Sequence, residues 1–78
     1  MANEALMAKQ LKKAMKYFKK VTEKAHYLPY GYEGMAKVYF LQGRMRNAKN
    51  HLQMALQRTH DKQTEQRYEA KLATLKNR

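Results

Sequence analysis

Between Tyr39 and Leu56 the chain reads YFLQGRMRNAKNHLQMAL, with apolar residues at helical spacing on either side of a lone Gly43. No other stretch limits the fold as strongly. Gly adopts the left-handed conformation that closes a helix without the clash a Cβ would cause, so one helix ends here and the next begins two or three residues later. With three Gly and one Pro, the chain has few other places to turn. Ala, Leu, Met, Lys, Gln, Glu and Arg dominate the rest, and these are the strong helix formers. The expectation is an all-α chain of about four helices.

The first segment, Asn3 to Ala25, places Met7, Leu11, Ala14, Phe18, Val21 and Ala25 at steps of three and four, one apolar stripe on a helix. Lys9, Lys12, Lys13, Lys16, Lys19 and Lys20 fall mostly on its other faces. His26-Tyr27-Leu28-Pro29 ends it, because the residue before a Pro is pushed out of the α region. A second helix follows from Tyr30 to Leu41, with Tyr32, Met35, Ala36, Tyr39 and Phe40 on its packing side. A third, Arg44 to Arg58, carries Met45, Ala48, Leu52, Ala55 and Leu56. After the polar Thr59–Thr64, with Asp61 and Thr64 as N-cap candidates, a fourth starts at Lys62 or Glu65 and ends at Lys76. Its stripe is Tyr68, Leu72 and Leu75.

Seventy-eight residues make one small domain, 1–78, with little core to spare. The absence of Cys excludes a disulfide framework and a Cys-based zinc site. Apolar runs stay at a few residues, far short of the roughly 20 a membrane span needs. The first residues lack the basic and apolar regions of a signal peptide, so the expectation is a cytoplasmic protein with no membrane span. A net charge of +11 predicts attraction to polyanions or acidic surfaces and says nothing about the fold.

A shift of 34 residues lays Leu11 on Met45, Ala14 on Ala48, Phe18 on Leu52 and Val21 on Ala55, small on small and large on large. A shift of 36 lays Tyr32, Ala36 and Tyr39 on Tyr68, Leu72 and Leu75. From Pro29 to His60 the pattern is Tyr32, Met35-Ala36, Tyr39, Gly43, Met45, Ala48, Leu52 and Ala55. It resembles one complete unit of the tetratricopeptide repeat (TPR) family, whose period is 34 with two helices per unit. His60 stands where that family usually has Pro. Residues 1–28 resemble a partial first unit, the second helix of a preceding repeat joined to a degenerate first. Residues 61–78 resemble a C-terminal capping helix. The resemblance implies a short α-solenoid of antiparallel helix hairpins, in which Ala36 and Ala48 let the axes approach. Each unit leaves an apolar face for its neighbour to cover.

Nothing in the chain assembles a catalytic site, so the expectation is a protein with no enzymatic activity and no cofactor. His26, His51 and His60 have no regularly spaced carboxylates beside them, which argues against a metal site. Glu4, Glu23, Glu33, Asp61, Glu65 and Glu69 are scattered, with no pair placed for acid–base work and no Gly-rich phosphate loop. The Met residues on stripes, Met35 and Met45, read as packing. Met7 and Met15 offer an apolar strip at the N-terminal end where self-association could occur. In HYLPYGY, Tyr27, Tyr30 and Tyr32 read as packing and turn residues, with Tyr30 alternatively at the rim of a groove.

Charge is unevenly placed. Residues 1–28 hold seven lysines against two glutamates, residues 29–43 one lysine against one glutamate, and residues 44–60 four basic and no acidic residues. In the family, the first helix of each unit lines the concave groove. The resemblance therefore implies a near-neutral groove built from Tyr30, Glu33, Lys37, Phe40 and Leu41, with Ala73 and Lys76 on the next groove helix. Only Lys37 and Lys76 are basic in that set, which fits a partner's helix or extended peptide better than a clamp on a terminal carboxylate. The leading expectation is a protein–protein interaction module. A second is a nucleic-acid or polyanion binder using Lys9, Lys12, Lys13, Lys16, Lys20, Arg44, Arg46 and Lys49. A third is a designed or excised repeat scaffold with no native ligand.

Overall fold

Gly43 has a φ of +79°, the left-handed value for which the sequence required a glycine. The Arg44 N–H donates to the Tyr39 carbonyl at 2.8 Å and the Gly43 N–H to that of Phe40 at 3.0 Å, a paired closure that satisfies two terminal carbonyls. The helix so closed is the second of four. The computed structural model describes the backbone of residues 2–76 and the side chains of residues 6–75. Its helices are α1 (Ala2–Lys24), α2 (Tyr30–Leu41), α3 (Met45–Gln57) and α4 (Lys62–Lys76). There is no strand among the described residues. None of these helices is long and apolar enough to cross a membrane.

The choice between two N-caps for α4 is settled in favour of Asp61. Its carboxylate accepts from the Thr64 N–H at 3.1 Å and the Thr64 hydroxyl at 2.7 Å, so the helix starts at Lys62. Those two bonds hold the Asp61 carboxyl below its ordinary pKa.

Among the described residues, only helices adjacent in sequence pack directly: α1 on α2, α2 on α3, α3 on α4. The fold is thus a row of helix hairpins. Its core gathers Ala36 from α2, Ala48, Leu52 and Ala55 from α3, and Tyr68, Leu72 and Leu75 from α4, with Tyr32, Tyr39, Met45 and Leu56 packed against it. These are the stripe residues expected from helical spacing. Arg58 fastens the corner. Its Nε donates to the His26 carbonyl at 2.6 Å and its guanidinium lies 4.3 Å from the centre of the Tyr32 ring.

The α1–α2 hairpin depends on a close approach that helical periodicity did not reveal. The Phe18 ring occupies the space a Cβ on Gly34 would need, and the Thr22 methyl does the same at Gly31. Glycines one turn apart let α1 lie nearly on the α2 backbone, an advantage that offsets the roughly 1 kcal/mol each costs within a helix. These pairings set an antiparallel register in which the 23 residues of α1 outrun the 12 of α2. The early turns of α1 therefore extend past their partner. Met7, on the α1 stripe and in the apolar strip expected at the N-terminal end, is 56% exposed for this reason, and Leu6 beside it is exposed as well. Leu11, Ala14, Met15, Phe18, Val21 and Ala25 are half-buried, because α1 has a neighbour on one side only.

Candidate functional site

Because α2 and α4 both lean on α3 without packing on each other, a cleft of about 260 Å³ opens between them. Ala36, Ala48, Leu52 and Leu75 supply an apolar lining. Glu33, Lys37 and Phe40 stand along the α2 side, and Lys71 and Thr74 along the α4 side. The small side chains of Ala36 and Ala48 are what keep it from filling.

Glu33 carries two polar contacts across the gap. The Tyr68 hydroxyl donates to Glu33 Oε2 at 2.6 Å, and Lys71 Nζ stands 3.9 Å from Glu33 Oε1. The lysine contact is half exposed and worth a few tenths of a kcal/mol at most. The tyrosine bond is sheltered. Burial first, then the hydrogen bond to Glu33, push the Tyr68 hydroxyl far above its ordinary pKa of 10.0. Glu33 is thus already engaged by its own chain.

Of the groove residues expected from sequence, Glu33, Lys37 and Phe40 come together on the cleft. Tyr30 does not line it. Its ring packs edge-on to Phe18 of α1 at 5.6 Å. Leu41 is exposed at the end of α2, and Ala73 is exposed on α4; neither lines the cleft. The side chain of Lys76 lies outside the described residues. On the α4 side the cleft is lined by Lys71, Thr74 and Leu75, where Ala73 was expected. The stripe Tyr68, Leu72 and Leu75 has two flanks, and which one turns toward α2 depends on how α4 crosses α3. The periodicity of α4 alone carries no signal for that choice.

The expected basic set divides in two. Lys9, Lys12, Lys13, Lys16 and Lys20 are all exposed on α1. Arg44 and Arg46 are exposed and Lys49 half-buried at the start of α3, a helix that does not pack on α1. His51 has a packing role: its Nδ1 lies 2.9 Å from the Asn47 carbonyl and its ring 4.9 Å from that of Tyr39. No group of three or more His, Asp or Glu capable of holding a metal ion occurs among the described residues. Compared with known proteins, the chain matches no family model, no curated protein and no solved structure.

Proposed function

We propose that the chain is a non-catalytic, cytoplasmic protein–protein interaction module of tetratricopeptide type, holding a short helix or extended peptide of a partner protein in the cleft between α2 and α4. The observation that carries this reading is the cleft itself, an apolar trough edged by charged and hydroxyl side chains. Concave sites of that makeup bind by burying an apolar anchor while a few polar groups set its orientation. At about 260 Å³ the space suits one or two anchoring side chains of a peptide rather than a large cofactor.

Among the described residues Glu33 is the only carboxylate on the cleft, and its bond to Tyr68 leaves it poorly placed for proton transfer to a substrate. This favours binding over catalysis. The test is affinity capture with wild-type chain and with the double variant Lys37→Glu/Phe40→Ala, each at low and moderate salt, followed by identification of what is retained. The reading expects at least one protein held by the wild type and lost by the double variant. Identical retention by both chains would remove the cleft from consideration.

A further inference from the structure

The cleft leaves α1 unused, yet α1 carries the strongest charge in the molecule. Lys9, Lys13, Lys16, Lys20 and Lys24 recur along it at steps of four, three, four and four. At 100° per residue they occupy an arc of about 80° and extend for about 22 Å along the axis. All five are exposed, and neither glutamate of α1 falls within the arc. The opposite side, through Phe18 and Thr22, is the one seated on α2.

Tyr17 borders this lysine face, one turn from Lys13 and one from Lys20. It is 53% exposed, and Tyr30 beside it on α2 is 52% exposed. Both are fixed in place. Tyr17 meets Phe18 edge-on at 5.2 Å, and Phe18 meets Tyr30 edge-on at 5.6 Å. Phe18 in turn is wedged against Gly34. A row of lysines explains solubility without further assumption. Two half-exposed aromatic rings locked at its edge do not serve solubility.

We propose that this face of α1, together with Tyr17 and Tyr30, binds single-stranded nucleic acid, the lysines following the phosphates and the tyrosine rings stacking on bases. Opposite charge selects a polyanion. The rings select among polyanions, because only an unpaired strand presents open base faces. An anionic membrane would match the lysines too, but it calls for a free apolar face to insert, and from Leu11 onward that face of α1 is engaged by α2.

Fluorescence anisotropy with a labelled oligouridine of about 12 nucleotides tests this, alongside a duplex of equal length, heparin and phosphatidylserine vesicles. With about five phosphate contacts, affinity should drop about 100-fold between roughly 50 and 200 mM salt. Lys13→Gln/Lys16→Gln/Lys20→Gln should shrink that drop to under about tenfold. Tyr17→Ala should weaken oligouridine binding by about 5- to 100-fold and leave heparin binding unchanged, while Tyr17→Phe, which keeps the ring, retains most affinity. Helicity by circular dichroism accompanies each variant, and Tyr17→Phe and the lysine variant preserve the α1–α2 packing. Wild-type oligouridine affinity in Tyr17→Ala overturns the proposal. So does equal affinity for strand, duplex and heparin, or binding to vesicles without binding to oligouridine.

Discussion

The Tyr68 hydroxyl reaches across from α4 to donate to Glu33 of α2 at 2.6 Å, joining two helices whose backbones do not pack together. This bond sets the width of the cleft. Tyr68→Phe keeps the ring in the core and leaves a half-buried carboxylate short of a donor, so stability should fall by about 1–2 kcal/mol in urea denaturation. The hydroxyl also predicts an alkaline effect. A folded-state pKa raised above the unfolded value of 10.0 contributes stability that is complete below pH 10 and lost as pH climbs through the folded value. Wild-type stability should therefore decline above pH 10 relative to Tyr68→Phe; parallel profiles for the two would show that the hydroxyl is not sequestered.

Gly34→Ala separates helix propensity from packing. In an open helix it would gain about 1 kcal/mol. Here the new methyl meets the Phe18 ring, and overpacking of this kind costs about 1–3 kcal/mol. The expected result is a net loss of about 1 kcal/mol, read as a lower denaturant midpoint. A higher midpoint would mean that α1 sits less tightly on α2 than the structure indicates.

Gly43→Ala isolates a purely conformational effect. A Cβ there meets nothing within 4 Å, yet the φ of +79° disfavours any L side chain. A cost of about 1–2 kcal/mol is expected, with Gly43→Asn closer to wild type. Measured stabilities that rank Ala level with Gly would contradict the left-handed closure of α2.

How much was legible in the sequence follows from what each signal encodes. Helical spacing marks a packing stripe, so Ala36, Ala48, Leu52, Ala55, Tyr68, Leu72 and Leu75 were readable, and all are buried. Spacing says nothing about which neighbour covers a stripe or for how long. Met7 lies on the stripe of α1 and is still exposed, because α2 ends before reaching it. Gly31 and Gly34 carry no sequence signal of their packing use, since a glycine's use in close approach exists only once a side chain such as that of Phe18 lies against it. Tyr30 reads from sequence as a packing residue or, by its place in a repeat, as part of the groove; the structure sets its ring beside Phe18. For the cleft, α2 contributed the readable half, Glu33, Lys37 and Phe40. On α4 the sequence points to Ala73, while Lys71 and Thr74 line the cleft, a matter of helix crossing that one helix's sequence does not carry.

Asp61 gives the acid side of the pH profile. Its carboxyl, held below the ordinary value of 3.8 by the Thr64 hydroxyl and N–H, supports α4 above that pH, and the support is lost as pH falls through the lowered value. Asp61→Ala should lower helicity and stability at neutral pH and remove part of the acid-side dependence. Circular dichroism across the acid range for both chains checks this, and superimposable profiles would count against the cap.

Arg58 makes the last prediction, because it joins the α1–α2 corner to the end of α3. Its guanidinium combines a 2.6 Å bond to the His26 carbonyl, a 2.9 Å bond to the Met54 carbonyl and a 4.3 Å approach to the Tyr32 ring. A planar fork can do all three together; an ammonium cannot. Arg58→Lys keeps the charge and should still cost about 1 kcal/mol, a melting-temperature drop of about 4–8 °C for a domain of this size. Arg58→Ala, which also loses the stacked guanidinium, should cost more, and in both variants amide exchange should quicken first around His26–Pro29. Were Arg58→Lys to match the wild type while Arg58→Ala fell, charge alone would account for the contact and the fork geometry would be incidental. Exchange rates unchanged at that corner in both variants would detach Arg58 from the hairpin register altogether.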